Sequence, residues 1–291
     1  MTTRDMILAT LTSVIWGFAF VAVKFALDSF SAPRLVAIRF LIAALPVFLV
    51  PRPKIGWPSI AMIGMTLFAG QFLLLFFAYA QGLPPGLASV TQQMQVFFTV
   101  LLAAAFLRDL PTLRQCAGLT IAFAGLALIG STAGSDLRPA ALAMALAGAF
   151  SWAVGNILVK RASDVPIFPL VVWSSLIPPL PALVISGVFD RRLPLLDAVA
   201  GASWLSIGAA VYLGAIATIF AYAAWGGLLQ RNPSAAVAPF ALLAPCTGIL
   251  SSAVIFGEIP SPMRCAGMAL ILAGLAVIAL PAGQWRPPSS K

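Results

Sequence analysis

Residues 116–127 read CAGLTIAFAGLA, and residues 265–276 read CAGMALILAGLA. When residues 109–129 are aligned with residues 258–278 without a gap, nine of the 21 positions are identical, and Asp109 faces Glu258. Small apolar residues match easily by chance, but the matching Cys and Pro pairs make chance a poor explanation. The two stretches therefore indicate that the chain contains two copies of one unit, and a repeat of this kind decides the fold.

Charged residues are scarce along the chain and unevenly placed. Of the 291 residues, 61% are hydrophobic and 9% are charged, and residues 55–107 contain no Asp, Glu, Lys or Arg. A helix needs about 20 apolar residues to cross the hydrocarbon core of a bilayer. The charge-free windows predict an all-α polytopic membrane protein with ten spans, near residues 4–27, 33–51, 58–80, 85–107, 112–132, 138–160, 167–188, 201–226, 234–256 and 263–281.

Further matches extend the repeat over the whole chain. Residues 77–80 and 220–223 both read FAYA, and Trp16 and Lys24 in the first span match Trp152 and Lys160 in the sixth. Spans one to five then correspond to spans six to ten. Because five is odd, the second copy crosses the membrane in the opposite sense. We expect two inverted five-helix repeats around a central cavity, at residues 1–134 and 135–281, followed by a short polar tail at 282–291.

The basic residues favour cytoplasmic termini. With the N-terminus inside, ten Lys and Arg residues fall on the cytoplasmic side and six fall outside, leaving out Arg39 within a span. Cytoplasmic loops carry the excess of Lys and Arg. We therefore expect a multi-pass membrane protein with both termini in the cytoplasm. The basic residues stand singly at helix ends, so the net charge of +9 does not indicate nucleic-acid binding.

The spans contain no arrangement of side chains typical of an enzyme. The chain has no histidine, and its eight acidic residues fall at predicted loops or span edges. Catalysis by a nucleophile or by paired carboxylates needs such groups within reach of each other. The three cysteines have no metal-binding spacing, and we expect them to be small, buried packing residues. The sequence predicts a protein that is not an enzyme and that uses no metal and no cofactor.

Polar residues in the fourth span are the first candidates for substrate binding. Ala88, Gln92, Gln95 and Thr99 share one face of a regular helix. An amide that faced lipid would lack a hydrogen-bond partner, so this face should point into the bundle. We expect this polar face to form a wall of the cavity. The alternative is that its side chains form hydrogen bonds between helices. Gln93 lies off this face, and we expect it to join helices.

Aromatic residues are the second group of candidates. Trp16 and Phe20 share a face of the first span, and Trp152 and Asn156 share a face of the sixth. Trp16 lies too deep for interfacial anchoring, so the repeat-related tryptophans predict two walls of one site. The weaker candidates are Gln71 and the repeat-matched pair Tyr79 and Tyr222; interfacial anchoring is the alternative for Tyr79.

Four residues are candidates for a charged or gating role. Arg39 is suited to clamp a carboxylate, but it lies close enough to the span end to reach the interface, and we expect both Arg39 and Lys24 to do so. Pro239 and Pro245 are expected to interrupt the ninth span and to form a hinge. Since no acidic residue is expected at depth, facilitated transport is favoured over proton coupling through a carboxylate.

The chain resembles the drug/metabolite transporter superfamily over essentially its whole length. The resemblance is carried by Trp16, Gly17, Lys24, Pro33, Arg39, Gly257, Glu258, Gly267 and Gly274. The first repeat departs from the pattern, because Arg108 and Asp109 stand where the family has Gly-Glu. The resemblance implies a cavity lined mainly by spans one, three, four, six, eight and nine, with spans five and ten at the periphery.

The bacterial branch that exports aromatic amino acids and methyl viologen is the most similar in its order of hydrophobic segments and loops. This implies a protein of the bacterial inner membrane that exports amino acids, preferably bulky or aromatic, by alternating access. The expected partners are a small-molecule substrate and the lipid bilayer, with no nucleic acid and no protein partner evident. Two alternatives stay open: a broad-specificity drug or cation efflux carrier of the same superfamily, and an exchanger of the nucleotide-sugar type.

Overall fold

Apolar helices joined by short connections make up the chain. The computed structural model describes residues 1–108, 110–132, 137–162, 165–190, 195–232 and 237–279. The helices in these ranges are α1 (Thr3–Leu27), α2 (Ala32–Ala44), α3 (Trp57–Ala80), α4 (Pro85–Leu107), α5 (Leu113–Gly130), α6 (Pro139–Arg161), α7 (Ile167–Val188), α8 (Trp204–Leu228), α9 (Phe240–Phe256) and α10 (Pro262–Ala279). A short helix at Leu195–Ala200, where the sequence indicated a loop, precedes α8.

Most of these helices are long enough to cross a bilayer. In the described part of the chain, eight helices meet the length and composition of a membrane span, and α9 is a shorter apolar helix. The helix α2 has 13 residues and continues into a 3-10 turn at Leu45–Phe48. The prediction of an all-helical polytopic membrane protein is confirmed. Ten crossings in two inverted repeats stay a prediction, as does the division at residues 134 and 135; the tail at 282–291 lies outside the described residues.

Local signals explain where the helices begin. Capping boxes start α1 and α5, since Thr2 and Asp5, like Thr112 and Gln115, exchange hydrogen bonds between side chain and backbone. Proline opens α4, α6 and α10, at positions where a helix needs no backbone N–H. These signals place the boundaries within a few residues of the spans predicted from charge, apart from the later start of α9.

Two helices carry a wider π-helical segment in their middle. It lies at Gly64–Gly70 in α3 and at Tyr212–Phe220 in α8. A π-helical turn disturbs the regular hydrogen-bond ladder, and side chains from other helices bind here: the Ser151 hydroxyl donates to the Thr66 carbonyl at 2.7 Å, and the Trp16 indole donates to the Ala217 carbonyl at 3.0 Å. The third and eighth helices, paired by the repeat, thus share the same irregularity.

Prolines shape α7 and α9 in different ways. Helix α7 is broken between Ser174 and Pro179, where Pro178 and Pro179 follow each other. The expected interruption of the ninth span is seen at Pro239 and not at Pro245. Pro239 lies in the 3-10 turn Ala238–Leu242 that opens α9, and Pro245 lies in the first turn of the α-helical part, Leu243–Phe256. Pro245 removes no hydrogen bond, because a first turn needs no N–H at that position, and a hinge at Pro239 and Pro245 stays a prediction.

The two copies of the repeated stretch, α5 and α10, pack against each other. A Cβ on Gly125 would lie 2.5 Å from the carbonyl oxygen of Gly267, and a Cβ on Gly118 would lie 2.8 Å from that of Gly274. Glycine is required because the two backbones touch. The early glycine of each helix meets the late glycine of the other, so α5 and α10 are antiparallel.

The cysteines in this stretch are not buried. Cys116, Cys246 and Cys265 are all exposed on the protein, which corrects the expectation from their apolar windows. In a membrane protein an apolar window does not tell the face that packs from the face that meets lipid. The thiols of Cys116 and Cys265 each lie near the carbonyl oxygen of the proline five residues earlier, Pro111 and Pro260, at 4.0 and 3.5 Å.

Candidate functional site

A cavity of about 300 Å³ lies between the helices. Its walls come from α1, α3, α4, α6 and α8, from one residue of α2, and from the first residues of α7 and α9. Helices α5 and α10 contribute nothing to its lining in the described chain. Nine of the predicted site residues line it: Trp16, Phe20, Arg39, Gln71, Gln92, Gln95, Trp152, Asn156 and Tyr222.

An aromatic wall is built on α1 and α8. The Trp16 ring meets Tyr222 edge-on at a centroid distance of 5.4 Å and Trp225 at 5.2 Å. Its indole N–H is already used by the Ala217 carbonyl, which holds the ring in place. The polar edge of Trp16 is thereby fixed, and the three rings contribute apolar surface to the lining of the cavity. Trp152 lines the cavity from α6.

The amides on α3 and α4 supply polar groups. Gln92 is 1% exposed, and its Nε2 donates to the Ala145 carbonyl of α6 at 3.1 Å. That bond fixes which end of the amide is the oxygen. Gln71 is 2% exposed. Among the described residues the side-chain oxygens of both glutamines have no hydrogen-bond partner, which is uncommon for buried polar atoms.

Further along α4 the polar side chains bind one another. The Asn156 amide donates to the Gln95 side chain at 2.7 Å and to the Thr99 hydroxyl at 3.2 Å, and that hydroxyl donates to the Gln95 carbonyl at 2.6 Å. Gln95 and Asn156 still line the cavity, whereas Thr99 does not. This group joins α4 to α6, the alternative that the sequence left open.

A tighter turn in the middle of α4 changes which of its residues face the cavity. The α-helical parts of α4 end at Thr91 and restart at Met94, and Gln95 and Val96 donate their N–H groups three residues back, to Gln92 and Gln93. A tighter turn rotates the following residues relative to a regular helix. Gln93 therefore lines the cavity, which corrects its assignment to interhelical contacts.

Arg39 reaches the cavity from α2. The residue is 4% exposed, so the expectation that it extends to the interface is wrong. Its Nε donates to the Thr218 hydroxyl at 3.2 Å, and its guanidinium lies 3.9 Å from the centroid of the Phe72 ring. It is the only charged residue among the described residues that line the cavity. The sequence does not reveal how deeply Arg39 lies in the bundle, because α2 is short.

Lys24 and Tyr79 lie outside the cavity, around a second, open pocket of about 480 Å³. The Lys24 ammonium lies 3.2 Å from the Glu258 carboxylate, which also accepts hydrogen bonds from the Ser252 hydroxyl and from the Gly86 N–H. One carboxylate therefore joins α1, α4 and the end of α9. Tyr79 donates its hydroxyl to the Phe20 carbonyl at 3.0 Å, behind the cavity wall.

The sequence analysis did not identify two residues that line the cavity. Trp225 and Phe72 complete the aromatic surface, but tryptophan and phenylalanine are frequent throughout the chain. Their roles depend on neighbours from other helices: Trp225 packs on Trp16, and Phe72 lies beneath the Arg39 guanidinium. Only the three-dimensional arrangement separates them from packing residues.

The model of the EamA-like transporter family matches this chain twice, at residues 3–131 and 139–280. The chain belongs to this family, which is part of the drug/metabolite transporter superfamily. The resemblance seen in the sequence is thereby confirmed.

Relatives of this EamA-like transporter include proteins named for amino-acid efflux. A "probable amino-acid metabolite efflux pump" of Salmonella typhimurium is 38% identical, and one of Escherichia coli is 34% identical; each alignment covers 95% of both chains. A "probable terminal-alkyne amino-acid exporter" of Streptantibioticus cattleyicolor is 28% identical over 92% of this chain and 91% of its own.

A solved crystal structure shares the fold of this EamA-like transporter. It superposes with a TM-score of 0.64 at 20% identity, covering 96% of this chain and 97% of the other. The family and the named relatives are membrane transporters, so the protein is a multi-pass membrane transporter.

Proposed function

We propose that this EamA-like transporter exports amino acids across the bacterial inner membrane, with a preference for bulky neutral or aromatic side chains. The observation that carries the proposal is the cavity between the helices, where an aromatic wall at Trp16 and Tyr222 lies beside the amides of Gln71 and Gln92. An amino acid has one polar end and one side-chain end, and this lining offers a surface to each. The names of the relatives support the same substrate class.

We propose alternating access between two inverted repeats as the transport mechanism. Three observations support the repeats: the family model matches twice, α3 and α8 share a π-helical segment, and the glycine contacts of α5 and α10 are symmetric. The contact of Gly118 with Gly274 becomes that of Gly267 with Gly125 when each residue is replaced by its repeat counterpart. An inverted repeat requires such exchange symmetry.

Substrate movement in this proposal is facilitated and needs no titrating carboxylate. No acidic residue lines the cavity in the described chain, and the lining group with a charge is Arg39. Proton-coupled carriers bury a titratable acid or histidine. Counterflow in proteoliposomes with and without a pH gradient measures this directly; strong acceleration by the gradient alone contradicts it.

Transport of L-phenylalanine and L-leucine by purified protein in proteoliposomes tests the function. Trp16→Ala removes the centre of the aromatic wall, and we expect counterflow to fall about tenfold or more because truncated aromatic anchors dominate binding energies. Trp204→Ala is the matched control, since Trp204 is 88% exposed and does not line the cavity. Equal loss in both variants, or no amino-acid counterflow by the wild type, contradicts the proposal.

A further inference from the structure

The cavity holds a buried cation that has no counterion among the described residues. The Arg39 guanidinium has five N–H donors, of which Nε binds the Thr218 hydroxyl. Its flat faces lie near the rings of Phe72 and Phe40, at 3.9 and 5.5 Å from the centroids. Among the described residues no carboxylate pairs with it. A buried charge without a partner is unfavourable, so the surroundings of Arg39 favour an anionic group of a substrate.

The fork of N–H groups on arginine matches a carboxylate, which it binds through two parallel hydrogen bonds. Arg39 is held by Thr218 on one edge and by Phe72 below, so little side-chain freedom is left to lose on binding. Aromatic rings around the charge keep water away and strengthen the attraction. The cavity thus offers a preorganised place for a substrate carboxylate.

The same cavity holds two acceptors without donors. The side-chain oxygens of Gln71 and Gln92 have no partner among the described residues. The Ala145 carbonyl holds the Gln92 amide in one orientation. Gly148 of α6 packs closely against both residues. A Cβ at this position would lie 3.0 Å from the Gln71 backbone oxygen and 3.6 Å from Gln92 Nε2. Paired acceptors of this kind suit an ammonium group, which has three donors and no acceptor.

We propose that Arg39 binds the α-carboxylate of the substrate and that Gln71 and Gln92 bind its α-ammonium group. This assignment rests on the proposed function and narrows its substrate class to zwitterionic α-amino acids with an uncharged side chain. The side chain then lies against Trp16 and Tyr222. Because Arg39 is the one charge in the described lining, organic cations that lack a carboxylate are repelled, which argues against the drug or cation carrier.

Isothermal titration calorimetry with the purified full-length protein tests the assignment by varying the ligand. L-Phenylalanine is compared with L-phenylalaninamide, which keeps the ammonium group and loses the carboxylate, and with 3-phenylpropanoate, which does the reverse. We expect the wild type to bind the amino acid about 100-fold more tightly than the amide, since sites built around a charged hydrogen bond reject ligands that lack it. This arm needs no mutation and therefore no folded variant.

Variants then identify the groups responsible. In Arg39→Gln we expect the amino acid and the amide to bind with affinities within about threefold of each other, and in Arg39→Lys an intermediate ratio, because lysine keeps the charge but not the fork. Gln92→Leu is expected to reduce the preference for the amino acid over 3-phenylpropanoate. Arg52→Gln, which removes an arginine stacked on Trp57 outside the cavity, is the control and keeps every ratio.

The outcomes separate this assignment from the proposed function. Equal binding of amino acid and amide by the wild type, or an unchanged ratio in folded Arg39→Gln, overturns the assignment while leaving amino-acid export intact. Binding of neither the amino acid nor its analogues overturns both.

Discussion

The same left-handed backbone conformation occurs at matching positions of the two repeats. Arg108 follows the last residue of α4 with φ of 57°, and Gly257 follows the last residue of α9 with φ of 65°. The left-handed region is open to glycine and strained for other residues. The family pattern has glycine at both places, and the first repeat keeps the turn although it has lost the glycine.

Replacing Arg108 with glycine is expected to stabilise the protein. Relief of the left-handed strain contributes about 1 kcal/mol, partly offset by the greater freedom of glycine in the unfolded chain. Thermal unfolding in detergent measures the change, with Gly257→Ala as the opposite test, expected to destabilise by a similar amount. A lower midpoint for Arg108→Gly means instead that the arginine side chain makes contacts that outweigh the strain.

The exposed cysteines of α5 and α10 are expected to be dispensable. Cys116→Ala and Cys265→Ala remove thiols whose contact in the structure is a long approach to a proline carbonyl. We therefore expect amino-acid counterflow and the midpoint of thermal unfolding to stay at wild-type values. A loss of transport with normal folding contradicts the assignment of these helices to a supporting role outside the cavity.

At the scale of the helix, α5 and α10 depend on close backbone contact. Gly125→Ala places a Cβ 2.5 Å from the Gly267 carbonyl oxygen and 2.8 Å from Leu270 Cβ, so the helices must separate. Overpacking of this kind costs about 1–3 kcal/mol. We expect a lower yield of folded protein and a lower unfolding midpoint.

Gly130→Ala is the matched control on the same helix. No atom lies within 4 Å of a Cβ built at Gly130, so alanine fits and favours the helix. Size-exclusion profiles and unfolding midpoints of the two variants decide the question. Equal behaviour of Gly125→Ala and Gly130→Ala contradicts the tight contact.

Helix existence was predictable from this sequence, whereas helix faces were not. Charge-free windows place the spans, and the capping boxes at Thr2 and Thr112 in the structure agree with them, because both signals are local. The face of α4 depended on the tighter turn at Gln92 and Gln93, which no periodicity reveals. The sequence therefore identifies cavity residues such as Trp16 and Gln95, but it misassigns Gln93, at the tighter turn, and Thr99, beyond it.

Depth in the bundle was the second property that the sequence left open. Arg39 was expected at the interface because of its distance from the span end, but α2 is short and neighbouring helices cover it, so the guanidinium meets Phe72 and Thr218. The exposed cysteines show the reverse error. Hydropathy does not separate protein-facing from lipid-facing positions, since both are apolar.

At the scale of the whole molecule, Arg39 distinguishes two otherwise related halves. The repeat provides matching tryptophans, π-helical segments and packing glycines, yet residues 165–189 contain no basic residue to match Arg39. The scaffold is thus shared between the repeats, while the proposed carboxylate site belongs to one of them. We expect mutations of the scaffold to alter transport of all substrates and mutations of Arg39 to alter selection among them.

The ion pair at one end of the molecule provides a prediction about the transport cycle. Lys24 and Glu258 connect α1 to the end of α9, and Glu258 also holds the start of α4 through Gly86. In the sequence their repeat counterparts are Lys160 and Asp109. If the repeats are inverted, Lys24 and Lys160 act at opposite ends of the cavity. Removing the charge of either lysine is expected to favour opening at its own end.

Lys24→Gln and Lys160→Gln should therefore change the accessibility of the cavity in opposite directions. The readout is a reporter cysteine at Ala19, which lines the cavity, in a chain whose three native cysteines are alanine. With a membrane-impermeant thiol reagent added from the periplasmic side, we expect faster labelling in Lys24→Gln and slower labelling in Lys160→Gln. The cysteine-free chain measures background. Changes in the same direction contradict the inverted arrangement, because two lysines at one end of a bundle control the same path.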